Sequence, residues 1–387
     1  MRTVRKAFAC ALAPAALALA AAACGGGGGG DEAAATTPAP TTTTPDDLAK
    51  VTLRLPGPIS ARFAGYLAAQ RRGLYREAGL DVELVPGEDR TDPTAAAAAA
   101  VAGGEADFAV DAAASALAAR ERTGADLVAV AQVFERSGGV HVSLASARMR
   151  SAADLRGKRV GAVPGADVEL RAGLRKAGLD PAKDVTLVPQ KDLAALLRGE
   201  LDAVQAERHD GLGRLLATVN TQTKKQVQLA ELGVLSWQEQ GVGVLGDGIW
   251  TDGRRLRDDA KRRDVAVRLV AASLEGWAVC RDEPDACVEA ALEDGVDLGA
   301  SLQAWQLNEV NALIWPAGAA AGAVDQQAFD RTVEQAVAAG VLKTRPPAGV
   351  VAADVAKAAQ ERLAPRGVDL AGARFAPQPV VVNPGGQ

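Results

Sequence analysis

The residues with chemistry to offer sit in short stretches that follow apolar runs. Run 51–55 leads to Pro58, Ser60, Arg62, Phe63 and Tyr66; run 107–110 leads to Asp111 and Ser115; run 127–133 leads to Phe134 and Arg136. Run 159–163 leads to Gly165 and Asp167, and run 202–206 to Glu207, Arg208, His209 and Asp210. Trp250 closes the apolar segment Gly248-Ile249-Trp250. In parallel α/β sheets the loops at the carboxyl ends of strands line the ligand crevice. The set combines carboxylates, a hydroxyl, an imidazole and aromatic rings, so it can hydrogen-bond and stack. Acids at helix starts disfavour an anion and suit a neutral or cationic ligand with N–H donors, stacked on Phe63, Tyr66, Phe134 or Trp250. Each residue also has a structural reading. Phe63 and Tyr66 fit the core face of a helix, the acids fit helix caps turned to water, and His209 fits a plain surface or hinge residue.

The same residues argue against catalysis. The chain has two His, His141 and His209, and no Ser-His-Asp or Cys-His arrangement or spaced carboxylate pair follows from them. A metal site needs more ligands than two cysteines with the His residues far away in sequence. Pro164-Gly165-Ala166-Asp167 is a strand–turn–helix start that can hold an anion on free N–H groups. It is neither GxGxxG nor a P-loop, and Asp167 already places a carboxylate there.

The elements that must carry these loops recur. Ala78-Gly79-Leu80-Asp81, an apolar run, an Ala-rich helix and Gly104-Glu105-Ala106-Asp107 are answered by Ala177-Gly178-Leu179-Asp180, the run 185–189, a helix over 191–198 and Gly199-Glu200-Leu201-Asp202. The offsets are 99 and 95 residues. Each Gly ends a helix where a left-handed residue is needed, and each short apolar run suits a buried parallel strand. Two lobes built alike follow, with the ligand between them. Ser60 is expected to cap the helix that ends at Arg72. Ser151 and Asp154 form a capping box closed by Gly157. Runs 140–144, 232–235 and 242–245 are expected to cross between lobes. Beyond them the chain is helical: Asp264 caps a helix with Trp277 in its core face, and helices over 302–314, 325–339 and 352–363 follow.

The 387 residues leave room for about two domains once the ends are trimmed. Apolar residues are 48% and aromatics only 3%, so the cores are aliphatic. The formal charge of −5 becomes more negative once Arg2, Arg5 and Lys6 leave with residues 1–23. An acidic chain without a basic stripe is a poor nucleic-acid binder. Residues 1–23 form a signal peptide, with a basic start, an apolar run over 7–22 broken by Pro14, and Ala21-Ala22-Ala23-Cys24 at its close. Cys24 then carries lipid and Gly25 to Pro45 form a tether within 24–47; ordinary cleavage with an incidental Cys24 is the alternative. Cys280 and Cys287 flank a helix-to-helix turn opened by Pro284, and an oxidising compartment favours their disulfide over free thiols.

Longer stretches add a family resemblance. Tyr66-Leu67-Ala68-Ala69-Gln70 with Gly73-Leu74-Tyr75-Arg76-Glu77-Ala78-Gly79-Leu80-Asp81-Val82 resembles the opening of ABC-importer solute-binding proteins, in the branch for nitrate, taurine, alkanesulfonates and thiamine pyrimidine precursors. Ala153-Asp154-Leu155-Arg156-Gly157-Lys158-Arg159-Val160-Gly161 is similar to the start of that branch's second lobe, and Gly199-Glu200-Leu201-Asp202-Ala203 to a later turn. Gly276-Trp277-Ala278-Val279-Cys280-Arg281-Asp282-Glu283-Pro284 and Trp305-Gln306-Leu307-Asn308-Glu309-Val310-Asn311 resemble an actinobacterial lipoprotein-like subgroup. The likeness covers about residues 50–345 and departs at His209-Asp210-Gly211, where relatives often carry an aromatic-Asn-Glu triplet.

The resemblance implies an α/β fold of two doubly wound lobes joined by two hinge strands, the type II periplasmic binding protein or Venus-flytrap. Lobe 1 takes residues 48–138 and 243–365, lobe 2 takes 139–242, and 366–387 form an irregular tail. It implies an extracytoplasmic, membrane-anchored monomer that captures a small solute for an ABC permease, with no cofactor and no catalysis. A thiamine pyrimidine precursor or similar heterocycle is the expected ligand. The alternatives are a sulfonate, taurine or nitrate, a flavin, a thiamine-pyrimidine synthase-like enzyme, or a tethered sensor.

Overall fold

The computed structural model describes residues 48–87, 96–296 and 299–387. The expected signal peptide, Cys24 and the tether lie outside the described residues.

Among the described residues ten strands make two sheets. They are β1 (Ala49–Arg54), β2 (Leu80–Val85), β3 (Phe108–Ala112), β4 (Leu127–Gln132), β5 (Gly139–Leu144), β6 (Arg159–Ala162), β7 (Thr186–Pro189), β8 (Ala203–Glu207), β9 (Leu232–Ser236) and β10 (Asp247–Asp252). The sheet orders are β2-β1-β3-β10-β4 and β7-β6-β8-β5-β9. The two orders are one plan used twice. Three parallel strands come first, then an antiparallel strand that arrives from the other sheet, then the strand that departs for it. This is the two-lobed α/β arrangement that the sequence repeat implied. Gly79, Gly104, Gly178 and Gly199 all have φ between 70 and 76°, the left-handed turn that ends the segment before a strand.

Both faces of the first sheet are covered. Phe108, Val110, Val128 and Val130 point into one core, while Ala109, Leu127, Ala129 and Trp250 point into an Ala-rich second core. Alternate residues go to opposite faces, so a strand buried on both reads as an unbroken apolar run. The second sheet does the same with Val140, Val142 and Val204 on one side and Val160, Ala162 and Ala203 on the other.

The chain crosses between sheets twice, through 133–138 and 237–246, and the crossings are tied together. Val133 and Phe134 donate N–H to Asp247 O, Gly246 donates to Phe134 O, and Trp237 donates to Gly139 O. Among the described residues no helix is long and apolar enough to cross a membrane.

Several local expectations are corrected. The helix over 191–198 is only a 3-10 turn, Leu193–Ala195, because the Asp192 carboxylate takes the Ala195 N–H and holds a tight turn instead. Residues 242–245 lead back to the first sheet as coil that precedes β10, whereas 140–144 and 232–235 are β5 and β9 of the second sheet and not crossings. The long helix Ala260–Asp282 is capped by Asp259; Asp264 lies inside it, paired with Arg268. The Ser151 capping box is present, with the Asp154 carboxylate accepting the Ser151 N–H and hydroxyl. Cys280 and Cys287 form the expected disulfide. The chain after Arg366 has no strand, as expected, yet it is not loose: Val380 and Val382 pack on the second sheet's core, and Gln226 donates to Val382 O.

Candidate functional site

A helix that belongs to neither sheet builds much of the site. Ala300–Ile314 lies across both halves of the molecule. Gln303 Oε1 accepts the Ala61 N–H at 2.7 Å and Gln306 Oε1 accepts the Arg62 N–H at 3.0 Å. These bonds satisfy the free donors at the start of the Ala61–Phe63 turn. Ser60, expected to cap there, makes no side-chain cap bond. Towards the other sheet, Trp305 Nε1 donates to Arg208 O at 3.0 Å and Arg208 pairs with Glu309 at 2.5 Å.

Arg62 leaves this turn and meets Asp247, the first residue of β10. Nε reaches Oδ2 at 2.9 Å and Nη2 reaches Oδ1 at 2.8 Å, a two-pronged pair. The Asp247 side chain is 2% exposed and that of Arg62 20%. Asp247, Glu207 and Asp210 together hold the Arg62 guanidinium above its usual range despite burial. The pair faces His209, which follows β8 in the π-helical turn Arg208–Leu212.

His209 is 3% exposed, and neither ring nitrogen has a hydrogen-bond partner. Burial first, then the Arg62 charge, pushes its pKa down to about 4, so the ring is neutral at pH 7. Its edge meets Phe134 at 6.2 Å between ring centres. Phe134 meets Trp277 at 5.9 Å, and Trp277 meets Tyr66 at 5.7 Å, each edge to face. Tyr66 Oη and Trp277 Nε1 are also buried, and apart from a weak contact with each other that falls short of full hydrogen-bond geometry they have no partner. Burial and the Asp247 charge raise the Tyr66 pKa well above its ordinary value, which keeps the hydroxyl protonated. Two partnerless imidazole nitrogens and a weakly matched hydroxyl and indole N–H thus lie in one aromatic cluster beside an ion pair. Buried polar groups are almost always hydrogen-bonded, so this group of exceptions marks a place built for something else to bond.

Glu169 closes the side of this region next to the crossings. Its Oε1 accepts the Val244 N–H at 2.8 Å. Burial foremost, with help from Glu207, raises its pKa to about 8. Gly138 must stay small: a Cβ there would lie 2.9 Å from His209 Nδ1 and 3.1 Å from Glu207 Oε2.

The remaining expected residues fall in two groups. Ser115, Gly165 and Asp167 line a separate cavity of about 570 Å³, together with Arg171 and Lys343, where the first sheet's loops face the second's. Asp167 pairs there with Arg171 at 2.7 Å. Asp111, Phe63 and Trp250 lie in packed interior. Asp111 is fully buried, with Oδ2 taking the Ala98 N–H and Oδ1 its neighbour's N–H at Ala112. Trp250 donates to Asp111 O and fills the Ala-rich core. Phe63 is in the first core with the Arg62 guanidinium over its ring. Arg136 donates to the carbonyls of Ala312, Trp315 and Pro316, a structural tie. Sequence reading missed Asp247, Gln303 and Gln306 and placed Trp277 only in the core. A clue for Asp247 was the carboxylate between two glycines in Gly246-Asp247-Gly248.

A larger cavity, about 860 Å³, lies between the C-terminal chain and the helices around the disulfide. Asn311 Oδ1 is a buried acceptor without a partner on its wall, but Arg281 there is already bonded to Asp282 and stacked on Trp315. Among the described residues no group of three or more His, Cys, Asp or Glu is placed to hold a metal.

Fold and site together define a two-lobed α/β binding protein of the type II periplasmic class. Residues 60–287 match the model of the NMT1/THI5 like family, and the chain belongs to that family. Among solved structures it is similar to a putative periplasmic sulfonate-binding protein SsuA from Methylobacillus flagellatus KT, with 17% identity over 86% of this chain and 98% of that one and a TM-score of 0.59. It is similar to the periplasmic nitrate-binding protein NrtA from Synechocystis PCC 6803, with 12% identity over 85% and 93% and a TM-score of 0.56. The desulfurization enzyme DSZB shares the fold at 14% identity over 81% and 99%, with a TM-score of 0.52. No curated protein sequence matches the chain.

Proposed function

We propose that this protein is the extracytoplasmic solute-binding component of an ABC-type importer, and that it captures a small neutral or cationic heterocycle for delivery to a permease. The observation that carries the ligand class is the cluster of Tyr66 Oη, Trp277 Nε1 and both His209 nitrogens beside an Arg62 already matched by Asp247. A neutral imidazole and a hydroxyl offer donors and acceptors without net charge. Phe134 offers a ring edge. The charges of Asp247, Glu207 and Asp210 all act on the Arg62 guanidinium and oppose an anion there, and Asp210 is itself paired with Arg214 at 2.7 Å. An aminopyrimidine has the N–H donors and ring acceptors that such a set would bond.

In this reading Arg62, Tyr66, Phe134, Glu207, His209 and Asp210 grip the ligand, while Ser115, Gly165 and Asp167 line the separate cavity between the lobes' loops. Asp111, Phe63 and Trp250 support them. The gripping lobes are 48–138 with 243–365, and 139–242. Cys24 carries lipid that anchors a monomer to the cell membrane, and an intact mass showing an unmodified mature N-terminus would refute the anchor.

The test of the ligand is native mass spectrometry of the purified soluble body for any co-purifying molecule, followed by calorimetry with 4-aminopyrimidines, taurine and nitrate. Binding of the pyrimidine alone is expected. Tight binding of taurine or nitrate without pyrimidines would overturn the ligand class. That outcome is the second reading, favoured by the likeness to the sulfonate- and nitrate-binding proteins above. Turnover of a bound ligand would instead favour the enzyme reading that DSZB represents.

A further inference from the structure

We propose that Asp247 sets the charge class of the ligand, by occupying the Arg62 guanidinium that could otherwise hold an anion. This rests on the reading that the Arg62–His209 region binds ligand. Arg62 and Asp247 come from the same sheet's side of the region: Arg62 from the turn after β1, Asp247 from the start of β10. Both are held from behind. The Arg62 backbone is fixed by Gln306, and Asp247 O accepts the N–H groups of Val133 and Phe134 and a third bond from Gln132 Nε2. The pairing is therefore preset by the backbone and does not wait for ligand.

The geometry matters more than the net charge. An arginine binds a carboxylate, sulfonate or nitrate best through two parallel N–H groups. Here Nε and Nη2 already point at the two Asp247 oxygens, at 2.9 and 2.8 Å. An incoming anion would have to displace a buried carboxylate and leave it beside Glu207 and Asp210. Rejection of the wrong ligand by placing a like charge against it is a general route to specificity. The His209 ring cannot compensate, because it is neutral at pH 7. Asp247 is thus a specificity-determining residue, and Asn in its place would release the Arg62 fork while keeping size and one acceptor.

The experiment uses three probes of similar shape, benzenesulfonate, benzenesulfonamide and benzamidine, measured by calorimetry against the wild type, Asp247→Asn and Arg62→Gln. Wild type is expected to bind the sulfonamide or the amidine at least tenfold more tightly than the sulfonate. Asp247→Asn should gain at least tenfold for the sulfonate and lose for the amidine, and Arg62→Gln should shift the other way. The double variant Arg62→Gln/Asp247→Asn has two neutral partners, is expected to fold where a single one fails, and should show no preference by charge. A wild type that prefers the sulfonate, or a cooperatively melting Asp247→Asn with an unchanged charge preference, overturns the proposal. Probe binding that is indifferent to Tyr66→Phe and to both charge variants would place the ligand elsewhere and overturn the underlying site reading instead.

Discussion

The two histidines are buried for different reasons, and acid separates them. His141 accepts a bond from Trp237 Nε1 at Nδ1, so its Nε2 carries the proton and donates to Gly161 O. His209 makes no such bond. Both pKa values are lowered from 6.5 to about 4, chiefly by burial. The folded state therefore binds fewer protons than the unfolded chain between those values, and stability falls as pH drops through that window. Each group removes about 2 kcal/mol at pH 5 by this linkage. His209→Asn should flatten the loss of thermal stability between pH 7 and pH 5, whatever its loss of packing on Phe134 costs at both pH values. His141→Asn should lower stability at both. Equal acid sensitivity in wild type and His209→Asn would show that His209 titrates normally.

At the scale of elements, the aromatic cluster depends on two helices that approach unusually closely. Helix Ala64–Arg71 crosses helix Ala260–Asp282 where Gly65 meets Gly276. A Cβ on Gly276 would lie 2.1 Å from Gly65 O, and one on Gly65 would lie 2.2 Å from the Trp277 ring. The missing side chains let Trp277 lie over the first helix and reach Tyr66 and Phe134. Gly65→Ala should destabilise the protein by about 1–3 kcal/mol through overpacking and weaken ligand binding by displacing Trp277. Melting temperature and calorimetry together check this, and a stable variant with unchanged affinity would remove Trp277 from the site. The disulfide pins the end of the same long helix to Pro284–Asp294, so the element that presents Trp277 is held at both its crossing and its end.

For the whole molecule the question is how far the two sheets can part. A ligand that binds a closed form better shifts the population towards it, limited by that difference in affinity. Two ties act across the halves besides the crossings: the Ala300–Ile314 helix and the C-terminal chain, which runs from Ala371 against Ala317 to Val382 against Gln226. Deleting residues 378–387 removes the buried Val382 and its bond to Gln226. The loss of stability should be about 1–4 kcal/mol. Without ligand, the truncated protein should show a larger radius of gyration in solution scattering than the full chain, and ligand should close that gap. Identical radii would mean that the tail packs without restraining the halves.

Much of the architecture was legible because it is written in local pattern. Paired Gly turns and apolar runs depend on neighbours in sequence, so they disclosed two lobes of one plan and the positions of most strands, while the disulfide followed from two cysteines seven residues apart. The loops at strand ends offered Arg62, Tyr66, Phe134 and His209 only within a longer set that also held Asp111, Ser115, Gly165, Asp167 and Trp250. Tertiary structure alone decided which of the candidates meet. Gln303 and Gln306 reach donors more than 240 residues away, Asp247 reaches across 185, and no periodicity records such pairings. The same holds for Asp111 and Trp250, whose residue types suit a site but whose partners are backbone groups of their own sheet. The physical reason is one of range. Helix and strand signals follow from the geometry of a few consecutive residues. The charge and hydrogen bonding of a site follow from groups that only folding brings within 3 Å of one another.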